Sequence, residues 1–399
     1  MARTTPFYPR TNALNETGLW AHWADYLSAP QYFHSEKHEY FAVRTAAGVY
    51  DTSPLYKYRI RGEDAENFLS GVLARDIRTC RPGQAQYTLW CDDDGFVIED
   101  GVIVRTAQND FLLTAAEPNL AYLQSLAGRW RVEIDDVSEG IASLAFQGPR
   151  SREILKKLTP DVEGLDYFDA IETKIDRTPI TLSRTGFTGD LGYELWMPED
   201  GALDVWDTLF EASEGHHVVP FGETALLMTR IEAGLLLIDA DFSPSRYAWT
   251  DAQKSTPLEL GMAWMFRGIT DDTRPFIGRN AILEEQERGP RRKLVGLELD
   301  WREWDDLYRS NGHSPPKDHT PVSEELILYD KETHANVGFV TSYMYSPMVQ
   351  RHIAIAQVEP RFAPIGSEVD FEVGIDHQLH YITARVTRMP FYNPPHKTA

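Results

Sequence analysis

Cys91-Asp92-Asp93-Asp94-Gly95-Phe96-Val97-Ile98-Glu99-Asp100-Gly101-Val102-Ile103-Val104 is the stretch whose reading decides the fold. Three aspartates closed by a glycine predict an acidic turn at which a hairpin reverses. The residues after Gly95 alternate and are rich in Val and Ile, which predicts a strand. Glu99 and Asp100 are neighbours in that strand, so their side chains leave on opposite faces. One carboxylate therefore meets the packed face, where it is costly unless hydrogen-bonded. An edge strand with both acids in water is the alternative.

A chain of 399 residues is long for one core and implies two or three domains. With 25% charged and 42% hydrophobic residues, the composition is that of a soluble globular protein. No run of about 18 apolar residues exists, so no membrane partner is expected. The opening Met1-Ala2-Arg3-Thr4-Thr5-Pro6 lacks the apolar core of a signal peptide. Cys80 and Cys91 form neither a disulfide framework nor a metal-ligand spacing. The expected compartment is the cytoplasm. A net charge of −22 repels phosphate backbones and argues against nucleic acid as a partner.

Around the hairpin the pattern is of short strands and helices. A helix is expected over His38–Arg44, and strands at Val49–Ser53 and Tyr56–Gly62. Asp64 is placed to cap a helix that follows it. Strands are expected at Asp110–Thr114 and Val132–Val137, with helical periodicity from Leu120 to Arg129. From Ile141 the same grammar repeats, through the Gly-rich Ser183-Arg184-Thr185-Gly186-Phe187-Thr188-Gly189 and a helix from Glu223 to Ala233. Two such halves predict an α+β fold, not a parallel α/β one. Beyond Arg288-Gly289-Pro290-Arg291-Arg292, strands separated by turns such as Ser314-Pro315-Pro316 and Pro364-Ile365-Gly366 predict a small all-β barrel or sandwich. The domains expected are residues 1–290, two α+β subdomains with the second starting near 140, and residues 291–399.

These residues resemble the glycine-cleavage T-protein (aminomethyltransferase) superfamily of tetrahydrofolate-dependent one-carbon transferases. Ala42-Val43-Arg44-Thr45 with Gly48-Val49-Tyr50-Asp51-Thr52-Ser53 is similar to its early block. Gly95-Phe96-Val97-Ile98-Glu99-Asp100 stands where the family has G-G-x-[IL]-D-D. Ala145-Phe146-Gln147-Gly148-Pro149, the Gly-rich segment with Gly192-Tyr193-Glu194-Leu195, and Arg230-Ile231-Glu232-Ala233-Gly234 follow in order. Phe276-Ile277-Gly278, Thr341-Ser342 with Ser346-Pro347, and Pro390-Phe391-Tyr392 complete the series.

The resemblance implies a three-domain cloverleaf around a central folate hole. It makes Asp100 the catalytic carboxylate and Glu194 the acid that holds the pterin. A carboxylate can accept the pterin amino group and the adjacent ring N–H together. Tyr87, Arg230 and Trp264 match further positions around the folate; Phe187 and Thr114 stand at two more, where the family carries Tyr and Asn, and Phe187 keeps a stacking face without the hydroxyl. Tyr87 and Trp264 could equally be core aromatics, Glu194 a solvent-facing strand residue, and Arg230 half of a buried ion pair with Glu232 or another acid.

Departures from the T-protein pattern steer the functional expectation. Asp51-Thr52-Ser53-Pro54-Leu55-Tyr56-Lys57 replaces D-V-S-H-M, Thr224-Ala225-Leu226-Leu227 replaces G-A-R-D, Thr114 replaces Asn, and Glu99 lengthens the first acid. These changes predict a relative closer to demethylases than to authentic T-protein. Such an enzyme moves a methyl group from a small sulfonium, methyl ether or N-methyl compound to N5 of tetrahydrofolate, with Tyr56, Lys57 and Trp90 facing the donor. Tyr56 and Tyr58 share a strand face, so both could instead be core. Two other readings stand beside it. One is an aminomethyltransferase fed by a lipoyl carrier protein, for which the charge of −22 makes an acidic carrier awkward. The other is a folate-binding accessory protein without catalysis; the absence of cysteine in Leu235–Asp241 argues against it. No G-x-G-x-x-G follows a strand, which disfavours a flavin-linked oxidase.

Overall fold

In a computed structural model, which describes residues 2–270, 273–316, 319–323 and 325–398, the acidic turn forms at Asp92–Phe96. Gly95 sits at φ +80°, a conformation that favours glycine. Its N–H donates to the Asp92 carbonyl at 3.0 Å, and the Phe96 N–H donates to the Asp92 carboxylate at 2.9 Å.

In chain order, α1 (Tyr8–Leu14) and the hairpin β1 (Ala21–Trp23)–β2 (Tyr26–Ser28) precede α2 (Glu36–Thr45) and β3 (Ala47–Asp51). Next come β4 (Tyr56–Arg61), α3 (Ala65–Val72), β5 (Gln84–Cys91), β6 (Val97–Ala107), β7 (Asp110–Ala115), α4 (Leu120–Leu126) and β8 (Glu133–Asp136). The second half runs β9 (Ile141–Gln147), α5 (Ser151–Leu155), β10 (Ala170–Ile175), β11 (Thr178–Ser183), β12 (Gly192–Pro198), α6 (Ala202–Ala212), β13 (Val218–Pro220) and α7 (Glu223–Glu232). A long connection leads to α8 (Arg279–Arg288), β14 (Lys293–Leu299) and α9 (Trp301–Ser310). The chain then finishes with β15 (Leu326–Tyr329), β16 (Asn336–Ser346), β17 (Arg351–Val358), β18 (Glu368–Ile375) and β19 (Gln378–Thr387).

Three β systems result beside the two-stranded β1–β2 hairpin. The first sheet has the order β5-β6-β7-β4-β8 and is antiparallel throughout. The second has the order β10-β11-β12-β9-β3-β13, with only β13 parallel to its neighbour. The third is a closed antiparallel barrel, β14-β17-β16-β15-β18-β19. The architecture is thus α+β with a C-terminal all-β barrel. Because β6 lies between β5 and β7, the edge-strand alternative with both acids wet is excluded.

Each of the first two sheets buries one face on helices and the other toward its partner sheet. Tyr58, Trp90, Ile103, Phe111 and Leu113 pack with Phe68, Leu69 and Leu123 from the helices. On the opposite face Ala85, Val104 and Leu112 meet Ala170 and Trp196 of the second sheet. This inter-sheet face also carries Tyr87, Asp100, Thr114 and Lys57, by the two-residue period of a strand.

Several dispersed motifs converge at one buried junction. Arg44 donates to Glu232 Oε2 through Nε (2.9 Å) and Nη2 (2.6 Å), while the Tyr40 and Ser346 hydroxyls reach Oε1 at 2.5 Å. That network ties α2, α7 and the barrel strand β16 together.

Two local expectations need correction. Asp64 precedes α3 but does not cap it, because its carboxylate is taken by the Arg131 backbone N–H and Nε, both at 3.0 Å. Helix α9 interrupts the C-terminal strands; Asp300 caps it by accepting from Arg302 and Glu303 N–H groups. The Asp-x-x-Glu spacing of Asp300 and Glu303 is the signal for that helix. Among the described residues no helix is long and apolar enough to cross a membrane.

Candidate functional site

Asp100 pairs with Leu89 and Tyr87 pairs with Val102, which makes Tyr87 and Asp100 diagonal neighbours on one face of the β5–β6 hairpin. The Tyr87 hydroxyl donates to Asp100 Oδ2 at 2.7 Å. Burial pushes the Asp100 carboxyl up to about 6; the tyrosine bond pulls it back, and the nearby Asp241 charge adds to the rise. Burial, then the Asp100 charge, holds the Tyr87 phenol well above its ordinary value. Asp100 is thus a partly buried carboxylate that titrates close to neutral pH and keeps acceptor capacity beyond its one side-chain bond.

Glu99 goes to the helix-covered face and is 1% exposed. Its Oε1 accepts from the Ala116 (2.5 Å) and Glu117 (2.9 Å) N–H groups, and its Oε2 accepts from the Asn119 amide. This is how the strand tolerates an acid on its packed side. Glu99 is built into the fold, and Asp100 alone of the two lies on the opposite face, which farther along β6 packs on the second sheet.

On that second sheet Glu194, in β12, pairs with Ser183 and Ala145. Its Oε2 accepts from the Thr185 hydroxyl, its only hydrogen bond among the described residues. Burial raises its carboxyl, while the Thr185 bond and the Lys57 charge pull it down. The loop that carries Thr185 and the half-buried Phe187 is built on Gln147. The Gln147 amide donates to the Thr185 and Tyr193 carbonyls at 3.3 and 3.1 Å and accepts from the Thr188 hydroxyl at 3.0 Å. A Cβ on Gly186 or Gly192 would lie 2.0 or 2.1 Å from Gln147 Oε1, so a side chain at either position would push Gln147 off these bonds.

The other sequence candidates divide by strand face. Thr114 lies on the inter-sheet face, where its hydroxyl donates to the Val102 carbonyl at 3.0 Å and closes the β6–β7 register. Lys57 is paired with Thr114 and is 0% exposed. Its Nζ donates to the Ser53 and Leu55 carbonyls at 3.0 and 2.9 Å. Burial lowers Lys57 to about 8, against the opposing charges of Asp51, Asp136 and Glu194.

Tyr56 and Trp90 lie on the wrong side of the sheet for a donor site. Tyr56 stacks on Tyr58 with ring centroids 6.3 Å apart, and Trp90 is fully buried with its indole donating to Asn119 at 3.3 Å. One residue of register separates them from Lys57 and Asp100, and that step reverses the face. Arg230 is not free to meet folate either. Its Nη1 donates to Asp241 at 2.5 Å and its Nη2 to Ser342 at 2.6 Å, with both side chains of the ion pair at 0% exposure. Asp241 also accepts from Thr341 (2.5 Å) and Ser342 (2.9 Å), so the pair fastens α7 to the barrel.

Trp264 keeps an exposed face and lies under the Arg75 guanidinium, 5.1 Å from its ring centroid. Sequence reasoning missed Arg75, Asp241, Asn119 and Gln147. Gln147 alone had a signal, inside the Ala145–Pro149 block; the others have no local pattern.

The GCVT N-terminal domain model matches residues 10–268, and the glycine cleavage T-protein C-terminal barrel domain model matches residues 292–393. The aminomethyltransferase of Caldanaerobacter subterraneus subsp. tengcongensis is 32% identical over 369 residues, covering 91% of this chain and 89% of that one. The chain belongs to the glycine cleavage T-protein family. The Bacillus subtilis aminomethyltransferase is 31% identical over 372 residues, 91% of this chain and 92% of its own. The fold is also that of the glycine cleavage system aminomethyltransferase T from Bartonella henselae, with a TM-score of 0.82 at 24% identity, over 98% of this chain and 99% of that one.

As a member of the T-protein family the protein is a one-carbon transferase, and tetrahydrofolate is its co-substrate. The relatives overturn the expected demethylase: similar proteins over nearly the full length are aminomethyltransferases, and none of these likenesses favours a methyl-donor branch. The substitutions at Pro54–Lys57 that suggested a new donor pocket place Tyr56 in the helix-covered packing and Lys57 on backbone carbonyls. Two under-satisfied carboxylates, Asp100 and Glu194, on sheets that pack together are suited to a ligand rich in N–H donors such as a reduced pterin.

Proposed function

We propose that the protein is an aminomethyltransferase that receives an aminomethyl group from a lipoyl-bearing carrier protein and delivers its carbon to tetrahydrofolate. The observation that carries this reading is 32% identity to a named aminomethyltransferase along 91% of the chain. The geometry of Asp100, Tyr87 and Glu194 supports it. In the transfer, the methylene carbon gives up its bonds to sulfur and to the amino nitrogen and gains bonds to N5 and N10 of folate. The two protons leaving those nitrogens appear in the thiol and in ammonia.

Glu194 accepts the pterin amino and ring N–H donors, with Phe187 offering a ring face beside them. Asp100, which titrates near 6, takes up the proton shed by a folate nitrogen and stabilises positive charge on the transferring carbon. Tyr87 holds that carboxylate in place, and Thr114 maintains the strand register beneath it. Trp264 stands at the rim. Much of the acceleration comes from holding carbon and nitrogen at near-attack distance.

The test is to incubate the protein with tetrahydrofolate and a carrier protein loaded with the aminomethyl group, then to assay folate products and ammonia. Equal yields of 5,10-methylenetetrahydrofolate and ammonia are expected. A 5-methyl product, or no turnover where the Bacillus subtilis enzyme is active, refutes the reading. Glu194→Gln should weaken tetrahydrofolate binding by about 1.5–3 kcal/mol, the worth of a hydrogen bond to a charged group.

A further inference from the structure

Residues Leu73–Arg75 leave α3 and run along the outer edge of β5. Leu73 bridges to Trp90, and the Ala74 N–H donates to the Leu89 carbonyl at 2.9 Å. Arg75 continues the line with its side chain, as Nη1 donates to the Tyr87 carbonyl at 3.1 Å. The guanidinium is braced on its other side by the Trp264 ring. Tyr87 therefore joins two groups: its carbonyl holds Arg75 and its hydroxyl holds Asp100.

Among the described residues no carboxylate pairs with Arg75. The adjacent Asp76 is turned away, bound to the Arg78 backbone N–H (3.0 Å) and Nη2 (2.8 Å). Nε and Nη2 of Arg75 have no hydrogen-bond partner there, in a chain with 61 acidic and 39 basic residues. Partial burial of an uncompensated guanidinium is unfavourable, and burial does lower its pKa. A ligand carboxylate would relieve that cost, since the free Nε–Nη2 edge of the guanidinium suits bidentate contact.

We infer that Arg75, held by the Tyr87 carbonyl and the Trp264 ring, is a carboxylate-binding subsite at the rim of the folate cleft that takes the glutamate tail of tetrahydrofolate. This rests on the reading of the Tyr87–Asp100 face as the folate-binding face. A carboxylate bound there would also fix one end of the co-substrate while Glu194 and Asp100 engage the other.

The experiment compares two ligands by anaerobic calorimetry: tetrahydrofolate, and 6-methyltetrahydropterin, which has the ring but no glutamate. In Arg75→Gln, tetrahydrofolate should bind about 10-fold more weakly, as expected for a lost charged hydrogen bond. Binding of 6-methyltetrahydropterin should stay within twofold, and Arg75→Lys should restore part of the loss. In the unmodified protein, added salt should weaken tetrahydrofolate more than the pterin, a comparison that needs no variant. Unchanged tetrahydrofolate affinity in Arg75→Gln, equal losses for both ligands, or equal salt sensitivity overturns the subsite while leaving the folate reading intact. Failure of the unmodified protein to bind either ligand sinks the folate reading as well.

Discussion

Glu99 and Asp100 are consecutive residues whose carboxylates lie on opposite faces of one strand. Glu99 is sealed among backbone N–H groups and Asn119, while Asp100 has Tyr87 as its side-chain partner. Two acids adjacent in sequence thus have different work, set by a period of two residues.

That division makes Asp100 the group to test for catalysis. Asp100→Asn should lower turnover about 10²-fold or more while tetrahydrofolate affinity changes only a few-fold. With the carboxyl raised to about 6, kcat/KM should climb with pH as Asp100 ionises, along a limb centred near that value. Tyr87→Phe removes a bond that favours the ionised form, so the limb should move to higher pH. A flat profile between pH 5 and 7 in the unmodified enzyme would contradict the assignment.

Lys57 should show itself in stability. Its ammonium is the disfavoured form in the fold, because burial lowers it from 10.5 to about 8. The native state therefore has its full margin above the free lysine value and loses it as pH falls from 10.5 toward about 8. The loss should be about 3 kcal/mol, at 1.36 kcal/mol per unit. Urea unfolding of the natural protein and Lys57→Met, each at pH 10 and pH 7, isolates the effect. Moving to pH 7 should cost the natural protein about 2–3 kcal/mol relative to the variant; parallel pH responses would show that Lys57 is not strained by burial.

The Arg230–Asp241 pair is structural, and its loss should be read in folding. Asp241→Asn leaves a buried guanidinium without its counter-charge and should cost about 3–5 kcal/mol. Replacing both residues together, with Arg230→Met and Asp241→Leu, should recover much of that. Tetrahydrofolate affinity per folded molecule should stay within a few-fold throughout. An Arg230→Met protein of normal stability but weak folate binding would return Arg230 to the ligand site.

Tyr56 offers the complementary case. Tyr56→Ala should lower the unfolding free energy by about 2–4 kcal/mol, toward the range of truncated core aromatics, with kcat per folded molecule within twofold. Loss of turnover at unchanged stability would put Tyr56 back beside the donor.

By itself the sequence determined the hairpin, the alternating halves and the all-β end, because turn chemistry and two- or 3.6-residue periods are local properties. It also put forward Asp100, Glu194 and Tyr87 as candidates, through their resemblance to the family's motifs. The tertiary structure decided which face of each strand is packed on helices, and so separated Lys57 and Asp100 from Tyr56 and Trp90. It alone joined Arg230 to Asp241 and Ser342, and Arg75 to Tyr87 and Trp264. A guanidinium takes whichever acceptor or ring the fold brings within reach. No period along the chain encodes a partner 112 residues away in the barrel or one 189 residues away in the connection after α7.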